Sequence, residues 1–244
     1  MARAIQSFVC FNQQGGEFST GELSMSWLGV VSWITIILGF LTAGIISLDL
    51  ASHPQKMRIM NIVWPVTGLY FPVVGWWFYR AMGRPMAADA PVMKGERPYW
   101  RRIFVSATHC GAGCVIGDIL GPPIVFGFRL TLFGVVLFAE YVTEFVFAYA
   151  FGIAFQYFPI RSMRHVPPGE ALIDAVKADT LSLVAFEVGM FAWMALAYFV
   201  LVPWHPKPDN VVFWFMMQIG MTFGFLTTYP ANWLLIRWGV KSGM

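Results

Sequence analysis

Two cysteines and a histidine lie in one apolar stretch, residues 108–118, with the sequence THCGAGCVIGD. Residues four apart share a face of an α-helix, so Cys110, Cys114 and Asp118 form one stripe, with His109 beside the first thiol. Thiolates select Cu(I), and a set of thiolate and imidazole ligands also suits Zn(II). The stripe therefore predicts a soft-metal site, with Cu(I) as the first candidate and Zn(II) as the alternative.

Methionines in the last two apolar stretches offer thioether sulfur, the other soft ligand. Met190 and Met194 are four residues apart, and so are Met217 and Met221. These side chains, or His109, are predicted to complete the metal shell. Two alternatives stay open, because methionine in an apolar helix is commonly a packing residue and because adjacent helical residues point about 100° apart, so that His109 can face another helix.

Five acidic residues lie in or beside stretches that are otherwise apolar: Asp118, Glu140, Glu144, Asp179 and Glu187. A carboxylate inside a membrane is costly unless it faces a partner or water. We interpret these acids as groups that tune the charge of the metal site or carry protons. The structural alternative is that Arg129 and Lys177 neutralise one acid each and that Asp179 lies at the membrane interface.

Other chemistry fits the same residues less well. A membrane thiol–disulfide oxidoreductase using Cys110 and Cys114 is the alternative function, although cysteines four apart on a regular helix do not direct their side chains as a disulfide requires. Haem ligation needs histidines within the bundle, and of His53, His109, His165 and His205 only His109 lies clearly in an apolar stretch. The residues favour a binding or transport protein over an enzyme, and a purely structural role stays open.

The composition indicates the class of protein that positions these side chains. Of the 244 residues, 58% are hydrophobic and 12% are charged, and the mean hydropathy is +0.64. This is far more apolar than a soluble domain and indicates an integral membrane protein in a lipid bilayer. The net charge of +3 does not indicate nucleic acid, because basic residues of membrane proteins collect in cytoplasmic loops.

Six apolar runs have the length that a bilayer core requires, about 20 residues. They predict helices at residues 27–48, 60–79, 103–120, 130–158, 170–202 and 211–236. The third helix is expected to end at Gly121-Pro122-Pro123, and the sixth to break at Pro230. Residues 1–24 are too polar to span and are expected at the surface. The predicted fold is an all-α polytopic membrane helix bundle in which residues 25–244 form one six-helix domain.

Small residues and basic residues indicate how these helices pack and how they are oriented. Gly113, Gly117 and Gly121 are four apart, a pattern that lets a neighbouring helix backbone approach closely. Twelve of the 16 Lys and Arg residues, Arg237 and Lys241 among them, fall at the two termini or in the second and fourth loops. Both termini are therefore predicted to be cytoplasmic, in a multi-pass protein of the inner cell membrane. A metal chaperone or a second copy of the chain is the expected protein partner.

Four segments together carry a family resemblance: residues 108–118, 151–160 (FGIAFQYFPI), 177–190 (KADTLSLVAFEVGM) and 214–221 (WFMMQIGM). They resemble an uncharacterised family of prokaryotic multi-pass membrane proteins, a domain of unknown function marked by Thr-His-Cys-Gly-Ala-Gly-Cys. The likeness covers roughly residues 100–240, and the first hundred residues match less distinctly. The resemblance implies a membrane fold and directs attention to the two cysteines, but it supplies no activity.

Overall fold

The computed structural model describes residues 20–90, 97–202 and 204–241. These residues form a helix bundle without a β-sheet. Its α-helices are α1 (Thr20–Ser52), α2 (Met60–Tyr70), α3 (Val74–Phe78), α4 (Tyr99–Phe128), α5 (Val136–Arg164), α6 (Pro168–Leu196) and α7 (Val211–Arg237). Within the described ranges, five of them, α1, α4, α5, α6 and α7, are long and apolar enough to cross a membrane. The predicted class, an all-α membrane helix bundle, is confirmed.

Helix α4 lies at the centre of the bundle and α1 at its edge. In their most apolar stretches, 83% of the α4 residues are buried but only 22% of the α1 residues. On α1, large apolar side chains such as Trp33, Phe40 and Leu48 are more than half exposed. An apolar surface of this extent requires lipid rather than water around it. The sequence motif with the two cysteines is therefore at the middle of the fold.

The predicted span at residues 60–79 is two short helices rather than one long one. Helix α2 ends at Tyr70, and Val73 then has a left-handed φ of 62°. The break lies at Pro72, because proline has no N–H and disfavours helical geometry at the residue before it. The Val73 N–H donates to Thr42 Oγ1 of α1 at 2.9 Å, which satisfies a backbone group that the break leaves free.

Three predicted boundaries were wrong. Helix α4 does not end at Gly121 but continues through Pro122 and Pro123 to Phe128, and α7 is unbroken at Pro230. A proline removes one backbone N–H, and packed neighbouring helices stabilise a membrane helix despite that loss. Helix α5 begins at Val136 instead of residue 130, because residues 129–135 form a turn with positive φ at three positions. Residues 1–19 of the predicted surface segment lie outside the described residues, and α1 begins at Thr20.

The glycines of α4 form its contact with α5, as predicted. A Cβ atom on Gly113 would lie 2.7 Å from Gly152 Cα, and one on Gly117 would overlap the backbone of Ala148. One on Gly121 would lie 3.0 Å from the backbone nitrogen of Glu144. Helices this close leave no room for side chains between them. The approach brings Glu144 of α5 against Gly121 and near Asp118 of α4.

The bundle has two distinct ends, which we name by what each contains. The first residues of α4 meet the last residues of α7, where Tyr99 donates to the Trp233 carbonyl; we call this the lysine end, because Lys241 follows α7 there. At the opposite end, the last residues of α4 and α6 and the first of α5 and α7 surround a cavity. We call it the cavity end.

Replacing Gly117 by alanine tests the close approach of α4 and α5. The added methyl group would overlap the Ala148 backbone, so we expect Gly117→Ala to lower the free energy of unfolding by about 3 kcal/mol. Gly127→Ala is the matched control on the same helix, because its Cβ meets nothing within 4 Å; helix propensity alone should make it neutral or slightly stabilising. Thermal unfolding in detergent measures both, and equal unfolding temperatures would contradict the packing described.

Candidate functional site

The two thiols lie side by side at the centre of the bundle. Cys110 and Cys114 are both fully buried and free, and they are near enough to interact. Cys110 Sγ is 2.9 Å from Ser182 Oγ of α6. From α2, the buried hydroxyl of Tyr70 lies near both thiols. Helix periodicity on α4 puts the thiols on one face, and α2 and α6 enclose them.

A buried ion pair lies next to Cys110, on the side of the lysine end. Lys241 Nζ donates to Asp179 Oδ1 at 3.0 Å, and the two side chains are 0% and 1% exposed. Ser182 Oγ is 3.2 Å from the same carboxylate oxygen and 2.9 Å from Cys110 Sγ. The second oxygen, Asp179 Oδ2, has no hydrogen-bond partner among the described residues. Ammonium, carboxylate, hydroxyl and thiol thus form one contiguous cluster.

The chain segment after α7 turns back to bring Lys241 inside. Gly239 has a φ of 71°, and the N–H groups of Val240 and Lys241 donate to the Leu235 carbonyl at 3.0 and 3.2 Å. A left-handed glycine after a helix end is the usual way to reverse the chain there. Burial by itself lowers the pKa of Lys241, but Asp179 and the nearby thiols outweigh burial, and the net shift of its pKa is upward. The ammonium form is therefore stabilised.

A file of carboxyl groups continues from Cys114 toward the cavity end. Glu187 of α6 lies beside the Cys114 thiol and near Asp118 of α4. Asp118 is also near Glu144 of α5, which in turn is near Glu140. Both oxygens of Asp118 and of Glu187 are buried with no hydrogen-bond partner in the described part of the chain. Because α4, α5 and α6 each contribute, the tertiary packing assembles the file.

The file ends at a cavity of about 630 Å³. Glu140 lies in its wall, together with Met194, Met216 and His205. Arg129 and Lys207 lie at the same cavity. The buried polar groups thus extend from Lys241, past the thiols, to an opening at the other end of the bundle.

His109 faces away from the thiol face. Its ring packs edge to face against Phe155 of α5, with centroids 6.4 Å apart, whereas Cys110 faces Ser182 of α6. Both ring nitrogens of His109 are buried without a hydrogen-bond partner among the described residues. The ring is near enough to Asp179 and Lys241 to interact electrostatically. His109 is thus a neighbour of the ion pair rather than of Cys114.

The methionines predicted as ligands are spread over the bundle. All four are buried. Met190 packs against Gly220 of α7, and Met194 lines the cavity. Met217 and Met221 belong to the same buried cluster as the cysteines. In the ranges 20–90, 97–202 and 204–241, no group of three or more His, Cys, Asp or Glu side chains has the arrangement of a metal site. A soft-metal site in the described part of the chain would therefore have to centre on the thiol pair.

Asp179 is paired with a different residue, and lies deeper in the bundle, than the sequence predicts. Asp179 is fully buried rather than interfacial, and Lys241 pairs with it, whereas Lys177 and Arg129 are exposed. The sequence places Lys241 among the basic residues beyond the last helix, where exposure is expected. The one sequence signal for its inward position is Gly239, which marks a chain reversal after α7.

A helix bundle with several candidate membrane spans, and with buried thiols, carboxyl groups and a lysine at its centre, defines an integral membrane protein with an internal polar site. The chain belongs to the family described as Domain of unknown function (DUF4396), which matches residues 99–241. This match confirms the resemblance to an uncharacterised family. No curated protein and no solved structure matches the chain. The matched region contains both thiols, all five acids and Lys241.

Removing one partner of the buried pair should destabilise the bundle more than removing both. Lys241→Met leaves the Asp179 carboxylate buried without its cation, and we expect the free energy of unfolding to fall by about 3–5 kcal/mol. Asp179→Asn combined with Lys241→Met should recover most of that loss. Lys177→Met removes an exposed lysine two residues from Asp179 and is the control. If the single and double variants unfold at the same temperature in detergent, the pair has no energetic coupling.

The pKa of Lys241 also predicts how the stability difference between the wild-type protein and Lys241→Met changes with pH. A lysine whose pKa is raised on folding contributes stability that is fully present below its ordinary pKa, about 10.4, and is lost as the pH rises through the higher folded value. The difference in unfolding temperature between the wild-type protein and Lys241→Met is therefore expected not to shrink from about pH 7 to 9. A difference that disappears within that window would contradict the upward shift of the pKa of Lys241.

Proposed function

We propose that this membrane protein binds Cu(I) between Cys110 and Cys114 inside its helix bundle, for transport across the membrane or delivery to a partner. The observation that carries the proposal is the pair of adjacent, free and fully buried thiols on α4. Two thiols that bind Cu(I) as thiolates release two protons and leave a complex with one negative charge. A basic group beside the thiols favours this step, and Glu187 next to Cys114 is positioned to take up a proton.

The number of donors favours Cu(I) over Zn(II). Structural Zn(II) takes four ligands in a tetrahedron, and catalytic Zn(II) takes three from the protein. The described residues bring two thiols together, while His109 faces α5 and no larger His, Cys, Asp or Glu group is present among them. Cu(I) accepts soft sulfur donors, and thioethers are among them. Met190, Met194, Met217 or Met221 supplies any further sulfur ligand.

The carboxyl file supports movement of a cation rather than storage alone. Buried acids in a membrane bundle mark ion or proton pathways. Here the file from Glu187 through Asp118 and Glu144 to Glu140 connects the thiols to the cavity. Protons released when the thiols bind the metal have acceptors along this line. A metal site without such a route would hold its ion in a closed core.

The sidedness of the protein follows from its charge distribution. We infer that the lysine end faces the cytoplasm of a prokaryotic cell, across the inner membrane, because the basic loops gather there. The cavity end then opens to the outside, and the end of α7 faces the cytoplasm. Helix α1 starts on the cavity side instead, because its last turn and the residues just after it meet Arg84 and Ala87 just ahead of α4, so the expectation of two cytoplasmic termini is not kept. A soluble metal chaperone or a second copy of the chain would exchange Cu(I) at the cytoplasmic end.

The test is metal analysis of protein purified from membranes under reducing conditions. We expect about one copper per chain and both central thiols masked. Cys110→Ser with Cys114→Ser should lose the copper and should not recover it when Cu(I) is supplied with a competing chelator. Cys10→Ser, which lies outside the motif, is the matched control and should keep it.

Two results would overturn the proposal. Failure of the wild-type protein to retain or bind Cu(I) under reducing conditions, with both thiols free, would make the pair a packing feature. A Cys110–Cys114 disulfide whose state responds to added quinone, without metal, would favour thiol–disulfide exchange instead.

A further inference from the structure

The side chain of Lys241 lies in a closed, polar part of the bundle. Its ammonium contacts the Asp179 carboxylate at 3.0 Å, and that carboxylate oxygen is 3.2 Å from Ser182 Oγ. Cys110 Sγ follows at 2.9 Å from the hydroxyl. The ammonium thus contacts one carboxylate oxygen, and a hydroxyl and a thiol lie behind that oxygen in a site closed to solvent, because Lys241 and Asp179 are at most 1% exposed.

Two observations indicate that the ion pair is surrounded by more polar atoms than the pair itself needs. Asp179 Oδ2 is fully buried without a hydrogen-bond partner among the described residues. The ring nitrogens of His109 make no well-formed hydrogen bond there either, although the ring lies near the Phe155 backbone, Asp179 and Lys241. Buried polar atoms are normally satisfied, so each unsatisfied one needs an explanation. An imidazole and a second carboxylate oxygen beside an ammonium supply lone pairs that another cation would use.

Stability alone is a weak explanation for such a pair. Replacing a buried ion pair by apolar residues of similar size is often neutral or stabilising, because desolvating both charges is costly. Here the chain takes a left-handed turn at Gly239 to bring in the lysine from beyond α7. Apolar side chains at both positions 179 and 241 would close the bundle without that cost.

We propose that Asp179, Ser182, Cys110 and His109 form a binding site for a small monovalent cation, and that the ammonium of Lys241 occupies this site as a tethered substitute. The site lies between the lysine end and the thiol pair, so a cation passing that way displaces Lys241 before it reaches Cys114. The proposal goes beyond Cu(I) binding and does not depend on it, because the site is defined by its charge and its experiment contains no metal.

The experiment compares two thiol reagents on a chain in which Cys110 is the only cysteine, with Cys10→Ser and Cys114→Ser. The cationic reagent is 2-aminoethyl methanethiosulfonate, and the neutral one is methyl methanethiosulfonate. In both reactions the Cys110 thiolate attacks the sulfenyl sulfur, a disulfide bond forms and methanesulfinate leaves. Both reagents react by the same chemistry, so the change in the ratio of the two rates between variants reports how well the site accepts a positive charge.

Removing the tethered ammonium should change that ratio. In Lys241→Met we expect the cationic reagent to gain about tenfold or more over the neutral one, because a site with one sign of charge concentrates opposite charge. Adding Asp179→Asn should abolish the preference. Lys177→Met, an exposed lysine on the same helix as Asp179, should leave the ratio unchanged.

Equal acceleration of both reagents, or no change in either, would overturn the proposal, since Lys241 would then be a lid or a structural contact. Lys241→Gln, which keeps a hydrogen-bond donor for Asp179, is the second variant if Lys241→Met does not fold, and the same two outcomes decide it. The two proposals can be refuted independently of each other, because a failure of the protein to bind Cu(I) would not change this ratio of rates.

Discussion

Charge in an apolar interior is the constraint on which this structure depends. A carboxylate or ammonium removed from water needs a partner, a proton or a coordinated ion. The bundle meets this requirement in two different ways. Near the lysine end, Asp179 has a fixed cation in Lys241 at 3.0 Å. Toward the cavity end, the oxygens of Asp118 and Glu187 are buried with no hydrogen-bond partner among the described residues, so these acids depend on protons or on a mobile cation.

The close contact of α4 with α5 creates that difference. Gly113, Gly117 and Gly121 bring the two backbones together, and Glu144 then lies against Gly121 and near Asp118. With larger residues at these positions the helices would separate, and water or lipid would reach the carboxyl groups. The glycines therefore set the dielectric environment of the acids as well as the shape of the bundle. Packing and electrostatics depend here on the same three positions.

The sequence predicts the local part of this arrangement well. Hydropathy indicates the membrane class, and periodicity places Cys110, Cys114 and Asp118 on one face, because both depend only on residues near in sequence. Proline was a poor guide: Pro72 ends a helix, whereas Pro122, Pro123 and Pro230 do not. Local chemistry is the same in each case, so the neighbouring helices decide the outcome. The partner of Asp179 was also missed, since Lys241 is 62 residues away.

The polar groups differ between the two ends of the bundle, and this difference bears on how a cation could move through the proposed site. At the cavity end, Glu140 and Met194 line an opening of about 630 Å³, so carboxyl and thioether groups are accessible from that side. At the other end, the Lys241 ammonium is buried against Asp179 and lies between the bundle end and Cys110. Under the proposed function, a cation that enters from the cavity passes Arg129 and Lys207 at its wall and reaches the thiols before it meets the buried ammonium of Lys241. To leave by the lysine end it has to displace that charge, and repulsion between the two cations couples its arrival to the release of Lys241. If both proposals hold, exchange at the two ends is sequential, because Lys241 lies between the thiols and the lysine end.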